Sequence, residues 1–201
     1  MATETTGIER RTGGAATRAR ILDAANELFY ARGIRATSAD RIIEQVGITK
    51  VTFYRHFRSK SDLVVAYLER QSAAERAWLD STTQEGDPVA SLRAIAAGIG
   101  AASCAPSFRG CAFINAAAEY PDADDPVRIA VDAHRAALRA HFSGLAAESG
   151  ADDPAAVADQ FMILRDGAMV NGYLSDATTL SRSLEDGFLA ILTGAARKLT
   201  D

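Results

Sequence analysis

The run Thr49-Lys50-Val51-Thr52-Phe53-Tyr54-Arg55-His56-Phe57-Arg58-Ser59-Lys60 constrains this chain more than any other stretch, because it puts aromatic anchors, hydroxyls and basic side chains into a few helical turns. At about 100° per residue, Phe53 and Phe57 share one face, whereas Val51, Thr52 and Arg55 point away and Tyr54 sits at the margin. One face suits burial and the other suits contact with an outside surface. Upstream, Thr37-Ser38-Ala39-Asp40 has the form of a capping box, Ala39, Ile42 and Val46 follow on one helical face, and Gly47 stops that helix. Gly47 and Ile48 make a tight turn and Thr49 caps the next helix, so the pattern is a helix-turn-helix whose second member is the recognition helix. A supporting helix between Thr17 and Arg32 carries Ile21, Leu22, Ala25, Leu28 and Phe29 at core spacing, with Gly33 ending it.

The formal charge of −4 would argue against a nucleic-acid partner if it were spread evenly. It is not. Residues 1–61 hold 11 Lys+Arg against 6 Asp+Glu, and residues 62–201 hold 11 against 20. A basic end on an acidic body is what a chain needs when only that end meets phosphate. No apolar run reaches the ~18 residues of a transmembrane helix, and residues 1–17 lack the apolar core of a signal peptide, so a cytoplasmic protein without membrane contact is expected. Cys104 and Cys111, seven apart, have a spacing that sterically permits a disulfide but no zinc-type pattern, and are expected as free thiols.

From Thr17 to about Leu68 the chain resembles the TetR family of bacterial transcriptional regulators. The residues that carry the resemblance are the ILDAANELFYARG run of the first helix, the G-I-R-A-T-S entry to the second, and T-K-V-T-F-Y-R-H-F-R-S-K-S-D-L. Val51 stands where the family more often has a small residue. The resemblance implies an all-α fold of about nine helices: a flexible arm (1–16), a three-helix DNA-binding domain (17–61) and a larger helical ligand-binding and dimerisation domain (62–201). Matching positions and side-chain chemistry together assign Thr49, Tyr54, His56 and Lys60 to phosphates. Lys50, Val51, Thr52 and Arg55 are assigned to base edges. Ser38 and Arg41 belong on the backbone, with Arg10, Arg11, Arg18 and Arg20 of the arm adding affinity.

Beyond Ser61 the pattern is helical throughout. Ser61-Asp62 reads as the cap of a helix reaching about Thr82; others span about Pro88–Cys104, Cys111–Glu119, Asp125–Ser149, Ala155–Leu174 and Leu180–Leu199. The last two intersperse Gly167, Ala168, Gly172, Gly187, Ala190, Gly194 and Ala195 with large residues, which permits close helix approach. In TetR-like proteins such helices form a four-helix bundle with a second subunit. Gly167, Val170, Leu184, Phe188 and Ile191 are the interface candidates here, an intramolecular core being the alternative. On the long helix His134 falls in an apolar stripe with Val127, Val131, Leu138, His141/Phe142 and Leu145. Cys111, Asn115 and Glu119 share one face of a shorter helix. His134, Cys111, Asn115 and Glu119, with Trp78, Phe108, Phe113, Phe161, Met162, Met169 and Tyr173, are expected to line a small-molecule site. A metal bound by Cys111, Glu119, His134 and His141 is a narrower alternative. No cofactor is expected. No G-x-S-x-G elbow, phosphate-cradling glycine loop or H-E-x-x-H is present, so the expectation is a regulator and not an enzyme. It would act as a homodimeric repressor on a palindromic double-stranded DNA operator, released by a small molecule; a ligand-independent or architectural DNA-binding protein is the alternative.

Overall fold

A computed structural model describes the backbone of residues 3–175 and 177–197 and the side chains of residues 13–175 and 177–195. Its elements are α1 (Thr3–Arg32), α2 (Ala39–Val46), α3 (Lys50–His56), α4 (Lys60–Thr82), α5 (Pro88–Ser103), α6 (Ala112–Glu119), α7 (Pro126–Glu148), α8 (Pro154–Leu174) and α9 (Leu180–Arg197), with a 3-10 turn at Ala177–Thr179. No strand occurs among the described residues. α1 begins at Thr3 and not at Thr17, so the expected arm is helical from Thr3 onward. No proline interrupts this stretch, and Thr17 Oγ1 donates to Gly13 O at 2.9 Å within the helix. The Arg10 and Arg11 side chains, and Leu199 at the expected end of the last helix, lie outside the described residues.

The chain divides into two compact units, one comprising residues up to Arg70 with Ala116–Ala130, the other comprising Gln71–Asn115 and the residues from Val131 onward. The first unit therefore takes in more than the contiguous segment 17–61. Its core is the expected stripe of α1, with Ile21, Leu22, Ala25, Leu28 and Phe29 all buried, closed by Ile42, Ile43 and Val46 of α2 and by Leu63, Val64, Tyr67 and Leu68 of α4. Phe29 meets Tyr67 edge-on at 5.6 Å. The Arg70 guanidinium donates to Asp23 Oδ1 (2.7 Å) and Leu22 O (2.9 Å), tying α4 to α1.

Two caps differ from expectation. Thr37 is fully buried and donates its hydroxyl among the carbonyls of Gly33 (2.9 Å) and Leu28 (3.3 Å), so Ser38 caps α2, accepting from the Arg41 N–H. At α4 the cap is Ser59 and not Ser61: Ser59 Oγ accepts from the Asp62 N–H at 3.0 Å. Gly47 ends α2 in the left-handed region (φ 70°), its N–H reaching the carbonyls of Ile43 and Glu44.

Glu119 explains why the end of α6 belongs to this unit. Its carboxylate accepts from the Ile34 N–H at 2.9 Å and from the Arg35 N–H, satisfying two backbone donors in the α1–α2 turn, while Arg35 lies 5.7 Å over the Tyr120 ring.

The second unit is built on three rings, Phe142, Phe161 and Phe188, with centroids 5.0–5.8 Å apart, surrounded by Leu92, Ile95, Ala96, Ile99 and Leu184. The small residues of α8 and α9 divide into two sets. A Cβ on Gly172 would come within 2.5 Å of Ser103 Oγ and one on Gly187 within 2.8 Å of Leu164, whereas Cβ atoms on Gly167 and Gly194 would meet nothing. The first pair lets helices of one chain touch. The second pair lies on open faces.

Replacing Thr37 by Val keeps the shape but removes the buried hydroxyl that joins α1, its turn and α2. Thr37→Val is expected to lower unfolding free energy by about 1–3 kcal/mol in urea denaturation, with Thr37→Ser losing less.

Candidate functional site

Phe53 and Phe57 anchor α3, 0% and 3% exposed, with ring centroids 6.2 Å apart. Their burial turns Val51, Tyr54, Arg55 and Arg58 outward as one i, i+3, i+4, i+7 stripe that extends just past the helix end. Val51 is 79% exposed and contributes nothing to the core; Tyr54 is 47% exposed. Arg58 was not singled out from sequence, although its offsets of three and four from Arg55 and Tyr54 were the available signal.

The remaining expected contacts sort by what already holds them. Thr49 Oγ1 caps α3 by accepting from the Thr52 N–H at 3.1 Å, and the Thr49 and Thr52 hydroxyls lie 3.0 Å apart. Ser38 does the same for α2, leaving Arg41 exposed. Lys50 Nζ pairs with Asp40 at 2.9 Å, both side chains about two-thirds exposed, and the hydrogen bond and charge of Asp40 raise the Lys50 pKa. Such an exposed pair is readily given up for a stronger anion. Lys60 starts α4 half-buried; burial lowers its pKa and the Glu119 charge opposes this. His56 is half-buried: its Nε2 is enclosed with no hydrogen-bond partner, and burial, then Arg55 and Arg18, lower its pKa. Arg18 and Arg20 are likewise engaged within the chain, Arg18 lying 4.9 Å over the Phe57 ring and Arg20 donating to Val46 O.

In the second unit a cavity of about 150 Å³ opens between α4 and α7, lined by Glu75, Arg76, Leu79, Asp80, His134, Ala137, Leu138 and His141. Of the expected lining residues only His134 reaches it. Phe161 and Met162 are buried in the aromatic core and Met169 packs against it. Trp78 covers Gly98, where an added Cβ would come within 2.4 Å of its ring. Asn115 is exposed, donating to Arg109 O, and Tyr173 is exposed with Arg109 5.3 Å over its ring. Phe108 sits half-exposed in the loop before α6. Glu119 is committed to the α1–α2 turn. For the buried ones the physical reason is that helical periodicity marks an inward face without saying whether a hole lies there; Asn115, Tyr173 and the loop residue Phe108 do not lie on a buried face at all. Among the described residues no three His, Cys, Asp or Glu side chains come together as metal ligands.

Behind the cavity lies a buried polar network. Arg165, 2% exposed, donates to Glu75 Oε1 (2.9 Å), Asp166 Oδ1 (3.1 Å) and Cys111 Sγ (3.3 Å). Burial opposes its charge, but the Cys111 sulfur, Glu75 and Asp166 outweigh burial and raise its pKa. Cys111 is a buried free thiol and Cys104 an exposed one. His134 stacks on Phe113 with ring centroids 3.5 Å apart, and its Nδ1 lies 3.1 Å from Ser72 Oγ. Burial lowers its pKa to about 4, outweighing Glu75, so the ring is neutral near pH 7.

The outer faces of α8 and α9 correct the interface candidates. Leu184 and Phe188 are 4% and 0% exposed within one chain and Ile191 packs partly buried against the same core, because α9 turns its large residues toward the phenylalanine triad. What faces outward on α8 is Ile163 (72%), Gly167, Val170 (44%) and Leu174 (71%), spaced i, i+4, i+7, i+11, with Ala190 and Gly194 exposed on α9.

Comparison with known proteins places these features. The family described as bacterial regulatory proteins, tetR family, matches residues 21–67. The HTH-type transcriptional regulator TtgR of Pseudomonas putida is 36% identical over 79 residues, 38% of this chain and 38% of that protein. YvkB of Bacillus subtilis, named an uncharacterized HTH-type transcriptional regulator, is 39% identical over 71 residues, 35% of this chain and 36% of that protein. The matched stretch thus spans little more than a third of these relatives' length. The crystal structure of a TetR-family transcriptional regulator from Streptomyces coelicolor is similar over far more: 38% identity and a TM-score of 0.85, covering 90% of this chain and 97% of that one. The chain belongs to the TetR family of bacterial regulatory proteins.

Proposed function

We propose that the protein is a DNA-binding transcriptional regulator, a repressor that grips a palindromic operator as a homodimer and is released by a small molecule. The observation that carries this reading is the outward stripe of α3, where Val51, Tyr54, Arg55 and Arg58 project from a helix locked by two buried phenylalanines. A short helix with its aromatics inward and a basic, hydroxyl-bearing face outward has the shape and chemistry to enter a major groove. The cationic balance of residues 1–61 supplies attraction to phosphate. Tyr54, Arg58, Arg41 and Lys60, with the hydroxyls of Thr49 and Ser38, hold the DNA backbone. Lys50, Val51, Thr52 and Arg55 face base edges, Lys50 exchanging Asp40 for a guanine. Such a protein works in the cytoplasm, beside the chromosome.

One recognition helix reads too few base pairs to select an operator, so a second copy is required. The stripe Ile163, Gly167, Val170, Leu174 supports pairing through α8, since it is apolar, exposed and narrow enough at Gly167 for close approach. Within each chain, the cavity between α4 and α7 is the candidate effector site.

Binding purified protein to fragmented genomic DNA and sequencing what is retained tests the regulator reading: one short palindrome should be enriched. Tyr54→Ala should weaken binding to all sequences alike, whereas Lys50→Ala should alter preference at one base pair per half-site by about 1–3 kcal/mol; equal loss of preference in both would overturn the division of roles. In sedimentation at micromolar concentration, Ile163→Glu and Val170→Glu should be monomeric with unchanged helix content, and dimers persisting in both would place the interface elsewhere.

A further inference from the structure

Among the described residues of the second unit, one buried side-chain nitrogen, Nε2 of His134, has no hydrogen-bond partner within the chain. Arg76 donates to Ser72 Oγ at 2.8 Å, and Ser72 Oγ in turn lies 3.1 Å from Nδ1 of His134. The other ring nitrogen, Nε2, lies 3.4 Å from Glu75 Oε2. A neutral imidazole carries one hydrogen, and a bare Nε2 lone pair facing a carboxylate would be repelled. The hydrogen therefore sits on Nε2, and Nδ1 accepts from the serine hydroxyl. Yet Nε2 is buried and makes no hydrogen bond. His134 is only 4% exposed and forms part of the cavity wall. His141 on the same wall is already served: Thr83 donates its hydroxyl to Leu79 O (2.9 Å), so His141 Nε2 donates to Thr83 Oγ1 at 3.3 Å.

A ligand atom that meets this donor accepts from His134 Nε2–H and can also donate to Glu75 Oε2. A hydroxyl oxygen does both; a carbonyl serves the histidine but not the carboxylate. An anion would face the carboxylates of Glu75 and Asp80, against which the wall sets the single cation Arg76, already donating to Ser72 Oγ at 2.8 Å; the Glu75 charge is matched by Arg165 at 2.9 Å, which removes the demand for a cation. The rest of the wall is Leu79, Ala137 and Leu138, and about 150 Å³ is the scale that holds one benzene ring. We propose that the α4–α7 cavity binds a small uncharged phenol, its hydroxyl bridging His134 Nε2 and Glu75 Oε2 and its ring lying against Leu79, Ala137 and Leu138. The site as such stands on these contacts; its regulatory meaning rests on the ligand-released repressor described above.

Calorimetric titration of the full chain with phenol, benzene and benzoate at pH 7.5 tests the site. Phenol should bind about 10-fold or more tighter than benzene, and benzoate should not compete. His134→Phe, which keeps the stacking ring and removes the donor, should bring phenol down to the affinity of benzene; Ala137→Leu should exclude both. Equal affinity for phenol and benzene in the parent protein, competition by benzoate, or no heat with any of the three at millimolar concentration would overturn the proposal. Operator occupancy, followed in parallel on the selected palindrome, separates the two ideas: phenol bound without release of DNA upholds the site and overturns its role as the switch, whereas release by other compounds with phenol unbound upholds the switch and overturns this chemistry.

Discussion

The buried guanidinium of Arg165 is the constraint on which the second unit depends. An unpaired charge at 2% exposure is not sustainable, so α8 can only lie where Glu75 of α4, Cys111 before α6 and its own Asp166 supply compensating atoms. Asp166 extends the tie to α7 through Arg135 at 2.8 Å. Apolar packing alone would leave these helices free to slide by a turn; the network has one register. The same network positions Glu75, and Glu75 faces the unpartnered nitrogen of His134. Structural specificity and the polar character of the cavity thus come from one set of contacts.

In the first unit the corresponding device is backbone satisfaction. The turn between α1 and α2 has N–H groups that no helix bonds, and Glu119 takes two of them while Thr37 serves carbonyls on the other side. With the turn held, α2 and α3 are set by short caps, Ser38 and Thr49, and by Phe53 and Phe57. A seven-residue helix has little stability of its own. Its outward side chains are presented in a defined direction because the inward ones are buried.

Much of this was legible beforehand. Helix ends at Pro88, Leu174 and Leu180 coincide with the expected ones, since prolines and polar breaks are local signals. The α3 face was readable from two phenylalanines four apart. Cap identity was less so: Thr37 and Ser38 are chemically near-equivalent, and which hydroxyl turns inward depends on carbonyls brought from Leu28 and Gly33. Pocket membership was hardly legible. Phe161, Leu184 and Phe188 share their inward periodicity with cavity-lining or interface residues, and only packing against Phe142 assigns them to the core.

By itself the sequence determined the all-α architecture, the start of the recognition helix, the cationic bias of the first 61 residues and the family, because each is encoded by spacing, caps or composition within a few turns. Tertiary structure decided that Glu119 is a strut and not a ligand-site carboxylate, that Nε2 of His56 is enclosed, that Ile163, Val170 and Leu174 form the open stripe, and that the cavity lies between α4 and α7. Those properties depend on which residues meet across distances such as the 85 positions from Ile34 to Glu119, and helical periodicity carries no information about partners that far away.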